Sequence, residues 1–134
     1  SVARTKDSQN LSFIAWAVAR TRAFVPGLLD AVEARLRRDG FRGFDEMEHI
    51  ARCVWALACS ERAPDVGVFR AAAEEAVRRS AHDDDLGILV WSFAKVRVVS
   101  RPMFALAARH ARYARRPVSV ARVMWACATC GCDI

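Results

Sequence analysis

Apolar and polar positions along this chain follow a helical rhythm that itself repeats. The four tryptophans lie at 16, 55, 91 and 125, spaced 39, 36 and 34 apart, in the strings FIAWAVARTR, RCVWALACSE, ILVWSFAKVR and RVMWACATCG. Three positions after each Trp stands Ala (Ala19, Ala58, Ala94, Ala128), and four before it a small residue (Ser12, Ala51, Gly87, Ala121). Five before it is an aliphatic residue: Leu11, Ile50, Leu86 or Val120. Wound at about 100° per residue, the recurrently apolar or small offsets cover an arc of roughly 200° and the variable, often polar ones about 100°. A helix apolar over so wide an arc is buried on two sides. This pattern predicts that Trp16, Trp55, Trp91 and Trp125 fill the core, with Ala19, Ala58, Ala94 and Ala128 allowing neighbouring helices to approach.

A second helix is predicted between successive Trp helices. It opens near Pro26, Pro64 or Pro102, where a missing N–H costs nothing. Its apolar positions are Leu29, Val32 and Leu36, then Phe69, Ala73, Ala76 and Val77, then Phe104, Ala107, Ala108 and Ala111. Gly40 and Gly43, Ser80 to Asp83, and Arg115-Arg116-Pro117 read as stops. Asp45 to Glu48 reads as a capping box for the next Trp helix, and Asp83 to Asp85 place negative charge at the start of the one after. Strict alternation is missing and Ala is abundant, so strands are not expected. The expected fold is all-α: an α-solenoid of stacked helix-turn-helix repeats, about three and a half units of roughly 36 residues, right-handed by analogy with known hairpin solenoids. The units fall at 8–44, 45–81, 82–116 and 117–134, the last reading as a single helix, so the chain reads as a fragment of something longer.

Composition narrows the classes. With 54% hydrophobic residues in 134, the chain is too apolar for a disordered tail and long enough to bury a core. Charged residues interrupt every apolar run, so no membrane span is expected, and the first residues lack the apolar stretch of a signal peptide. The net charge of +6 comes from 21 Lys and Arg against 15 Asp and Glu, nearly all the cations being Arg. Arginine forks match phosphate and stack on bases, which admits nucleic acid as a partner. Five cysteines, an odd number without a secretory signal, fit reduced thiols inside a cell.

The string of an aliphatic residue followed by Trp-Ala-Leu/Phe-Ala-Lys/Arg, clearest in LVWSFAKVR at 89–97 and CVWALA at 53–58, resembles the octotricopeptide repeat family. It is also similar to the repeats that precede RAP domains and those of FAST-kinase-like proteins. The likeness covers nearly all of residues 8–134, with departures at Ser92 and Cys127, where Ala and Leu are usual. It implies a module that binds single-stranded RNA in a mitochondrion or chloroplast and acts in RNA processing, stability or translation; the segment itself is expected not to be an enzyme, any catalytic domain lying outside it. No cofactor, small-molecule substrate or membrane partner is expected from the residues. An interaction scaffold of the armadillo or HEAT kind is the other reading, with proteins as partners.

The resemblance further implies that first helices read one nucleotide each. The variable stripe offers Asn10, Phe13 and Arg20, then His49 and Arg52, then Asp85 and Lys95, then Ser119 and Arg122 as RNA-binding residues. Asn10, His49, Asp85 and Ser119 share one offset with four different hydrogen-bonding groups. A solvated face would vary in the same way. Arginines ending the second helices (Arg35, Arg37, Arg38; Arg78, Arg79; Arg112, Arg115, Arg116) fit either a phosphate rail or cations at helix C-termini. Cys127, Cys130 and Cys132 lack a fourth zinc ligand at matching spacing, and Asp83 to Asp85 are explained by a helix start, so no metal is expected. His49, His82 and His110 lie on separate segments without a nucleophile, so no catalytic residue is expected.

Overall fold

The computed structural model describes residues 2–21 and 27–132, with side chains for 9–20 and 27–132. The described residues form seven α-helices and no strand: α1 (Val2–Thr21), α2 (Leu28–Asp39), α3 (Met47–Cys59), α4 (Val66–Arg78), α5 (Asp83–Lys95), α6 (Arg101–Ala111) and α7 (Pro117–Cys130). Each Trp lies on an odd-numbered helix, as the periodicity predicts. The odd helices pack in succession, α1 on α3, α3 on α5 and α5 on α7. The even helices pack in the same way, α2 on α4 and α4 on α6, and α1, α3 and α5 each contact the even helix that follows.

The main core lies between the two rows. Phe69 of α4 meets Phe93 of α5 at 5.1 Å between ring centroids, and Phe93 meets Phe104 of α6 at 6.5 Å. Ile50, Leu86, Leu89 and Met103 are fully buried around them. Interdigitated aromatic and branched side chains make this the region most sensitive to lost volume. Along the second helices, Val32, Leu36, Phe69, Ala73, Ala76, Phe104, Ala107 and Ala108 are buried as expected, whereas Val77 is exposed.

Small residues set how closely the odd helices approach. A Cβ added to Gly87 of α5 would lie 3.5 Å from the Ser119 backbone of α7. Ala15, Ala51, Ala56, Ala58, Ala94 and Ala126 are buried at the corresponding seams. Ser92 occupies one of these positions and satisfies its hydroxyl by donating to the Ile88 carbonyl at 2.7 Å.

Local signals are met unevenly. Asp65 caps α4 by accepting from the Val68 N–H, and Ser100 caps α6 by accepting from Met103, with Pro102 in the first turn. Pro117 opens α7 as well as ending the preceding turn. Pro26 lies outside the described residues. The expected capping box does not form: α3 begins at Met47 with Glu46 as its N-cap and no side-chain cap, and the Glu48 carboxylate turns to Arg52 instead. Gly40 ends α2 at a φ of 64°, where a side chain would be strained. The turn after it buries Phe41 and Phe44 edge to face at 5.2 Å, a small core that helical periodicity does not reveal.

Candidate nucleic-acid interface

Burial resolves each odd helix into four strips. Offsets five and two before the Trp and two after it mainly face the second helices. Offsets four and one before and three after face the next odd helix, and offsets six before and one after face the previous one. What remains is a single strip: seven and three before, the Trp itself, and four after. These positions fall within about 60° of one another on a helical wheel.

The tryptophans therefore border the outer face of the odd row, which corrects the expected core place of Trp16 and Trp125, whereas Trp55 still packs partly buried against the core. Trp16 is 37% exposed and Trp125 44%, while Trp55 and Trp91 are half-buried at its middle. The apolar arc ended at the Trp, only about 20° from the variable offset seven residues earlier, so its assignment depended on a border. A large ring at the border covers the small-residue seam while leaving one side to solvent.

An open groove of about 790 Å³ runs along this face, lined among others by Trp16, Trp55 and Trp91 together with Arg20, Arg52 and Arg122. Arginine lies over aromatic rings at the α1 end. The Arg52 guanidinium is 5.3 Å from the Phe13 centroid and 5.9 Å from that of Trp16, and Arg20 is 5.7 Å from Trp16. At the other end Lys95 lies 5.4 Å over Trp91, and Trp91 leans against Trp125 with centroids 6.0 Å apart and planes 35° apart. Such cation–ring contacts hold long cationic side chains above the aromatic faces.

Acidic groups share the groove. Glu48 pairs with Arg52 at 2.6 Å. Asp84 accepts from the Ser119 hydroxyl of α7 and from Arg116 at 2.8 Å. The Ser119 hydrogen bond and the Arg116 charge hold its carboxyl below the usual range against the opposing effect of burial. Next to it, burial and the nearby Glu48 charge push the Asp85 carboxyl up. Asp84 is thus neutralised locally, and Asp85 resists ionisation.

The proposed base-reading residues do not form one face. Phe13, Arg20, Arg52, Lys95 and Arg122 lie on or beside the groove strip, and Asp85 lines the groove. Asn10 is exposed on α1. His49 and Ser119 are buried in the seams between odd helices, His49 with its ring 6.4 Å from Phe13, which corrects their expected place on an open stripe. Ala58 and Ala94 are buried as expected, Ala19 is half-buried and Ala128 is exposed.

Arginines at the second-helix ends are largely engaged by carboxylates. Arg37 bonds Asp65, Arg38 bonds Asp39, Arg78 and Arg79 bond Glu75, and Arg116 bonds Asp84. Arg79 also donates to the Phe44 carbonyl, tying α4 to the turn after α2. The Arg37, Arg116 and Arg79–Phe44 contacts join separate segments, while Arg38 and the Glu75 pairs stay at the end of their own helix, so the groups serve local structure and packing at least as directly as they could serve a rail.

Cys53 is buried in the core, where burial pushes its thiol up to about 12. Cys127 and Cys130 are raised as well, first by burial and then by neighbouring sulfur. Arg97 near Cys130 acts in the opposite direction but is outweighed, so burial governs all three thiols. Among the described residues, no three His, Cys, Asp or Glu side chains gather as a metal site, and no helix is long and apolar enough to cross a membrane. Comparison with protein families, with curated proteins and with solved structures finds no match to this chain.

Proposed function

We propose that this chain is a solenoid of stacked helical repeats that binds single-stranded RNA along the outer face of its odd helices, without catalysing a reaction on it. The observation that carries this reading is the row of tryptophans, three of which, Trp16, Trp55 and Trp91, line one groove with Arg20, Arg52 and Arg122, while Lys95 lies over Trp91. Aromatic rings offer every base a stacking surface, and the cations between them suit a phosphate backbone. The resemblance of the Trp strings to octotricopeptide repeats points the same way and adds the setting of organellar RNA maturation. Contact is made chiefly by stacking and charge, because two of the four expected base-edge residues are buried.

Gel-shift titration against single- and double-stranded RNA of equal length tests the proposal. The expected result is tighter binding to the single strand, with affinity falling steeply between 50 and 200 mM salt, about the range over which phosphate contacts are screened. Equal binding to both forms, or affinity indifferent to salt, contradicts it. Glu48, Asp84 and Asp85 on the same face favour the second reading, a scaffold for a basic protein segment. That reading predicts binding to a Lys- and Arg-rich peptide and none to RNA.

A further inference from the structure

The two ends of the aromatic row differ in what already occupies their rings and charges. At the α1 end, Arg52 covers Phe13 and Trp16 while being held by Glu48, and Arg20 also covers Trp16. A ligand arriving there must displace a guanidinium before stacking. At the α7 end, Trp125 is 44% exposed, its ring resting on Trp91 at 6.0 Å. Among the described residues, no cation lies over Trp125, and neither Arg122 nor Lys95 has a carboxylate partner. Arg122 lines the groove, three residues before Trp125 and therefore on the same side of α7. Asp84, an acid lining the same groove, is engaged by Arg116 and Ser119.

We infer that Trp125, Arg122 and Lys95 form the primary nucleotide subsite, at the α7 end of the aromatic row beside the groove: a base stacks on the open face of Trp125, and two cations without a carboxylate partner, Arg122 and the Lys95 that lies over Trp91, take its flanking phosphates. The inference rests on the RNA-binding reading and adds where the strand is first held. Trp91 acts as the backing that keeps the Trp125 ring upright, since paired rings at this separation support one another. Cations without an anion to give up favour phosphate more than ones already paired, so this end dominates affinity. Stacking of one base corresponds to a factor of about 5 to 150 in affinity.

Fluorescence anisotropy with a randomised eight-nucleotide single-stranded RNA tests this, with thermal melts confirming that every variant folds. Trp125→Leu and Arg122→Gln are each expected to weaken binding at least fivefold. Trp125→Phe, which keeps a stacking ring, is expected to stay within threefold of the unaltered chain, and Trp16→Leu to lose less than Trp125→Leu. RNA binding that survives Trp125→Leu, or falls as far with Trp16→Leu, overturns the subsite while leaving the RNA-binding reading standing. Failure of the unaltered chain to bind the RNA overturns both.

Discussion

The middle helices of the odd row, α3 and α5, and its end helices, α1 and α7, carry the same sequence pattern but different surfaces. Offset four before the Trp is buried as Ser12, Ala51 and Gly87, yet exposed as Ala121. Offset one after it is buried as Ala56, Ser92 and Ala126, yet exposed as Ala17. The first set faces the following odd helix and the second the preceding one, so each becomes exposed only where that neighbour is missing among the described residues. Burial here is a property of the seam between helices, with the residue type only permitting it. The seams also carry direction, because the strip facing forward differs from the strip facing back.

The largest effect that tests this contrast is loss of volume. Phe93→Ala on α5 removes a ring between two others and is expected to cost about 3–5 kcal/mol in denaturant unfolding. Met124→Ala on α7, at an exposed position, is expected to cost under about 0.5 kcal/mol. Comparable losses at both sites would mean that the end helix is as enclosed as the middle one.

Ion pairs give a second, smaller contrast. Glu33 of α2 is buried and bonded by Arg62 at 2.7 Å, whereas Arg38 and Asp39 meet in the open. Arg62→Ala leaves the carboxylate with Arg37 alone, at 3.5 Å, and is expected to cost about 1–3 kcal/mol. Arg38→Ala is expected to change stability by no more than about 0.5 kcal/mol. Equal effects in urea titrations would remove the distinction.

At the α5–α7 seam, Gly87→Ala is expected to stabilise the chain by about 0.5–1 kcal/mol, since the added Cβ meets Ser119 at ordinary contact distance and Ala is the better helix former. Gly87→Leu fills space that the seam does not have and is expected to destabilise by about 1–3 kcal/mol. A destabilising Gly87→Ala would show that the helices approach more closely than described.

The smallest effect concerns the neighbours Asp84 and Asp85, whose carboxyls are shifted in opposite directions. The folded form holds Asp84 more acidic, so its contribution to stability is present above the unfolded pKa and lost as pH falls through the folded one. Asp85 is less acidic when folded, so its contribution is present at low pH and lost as pH rises. Asp84→Asn is therefore expected to lower the melting temperature at pH 7, and Asp85→Asn to raise it, each by a few degrees at most. Both differences should fade as pH falls through and below the carboxylate range, and matching signs at pH 7 would contradict the assigned surroundings.

The helical rhythm was legible because Trp, Ala and the small residues recur in register, and it placed every Trp on its own helix. The side of the helix on which the Trp stands was not legible. Its offset borders both arcs, and an indole can close a seam with one face while showing the other to water. His49 and Ser119 were misread for a related reason: variability at one offset resembles a solvated stripe, yet here it reflects seams that accept different polar groups when each is bonded, as Ser119 is to Asp84. Phe41 and Phe44 escaped notice because they pack within a turn, where no period reports burial.

The central claim is that the tryptophan row is a working surface, and Trp emission reports on it directly. In a titration with single-stranded RNA at 50 mM salt, the account predicts saturable quenching of that emission, substantially reversed at 200 mM, roughly the range in which phosphate contacts weaken. Binding that leaves the emission unchanged would place the RNA elsewhere, and no binding at either salt concentration would contradict the account.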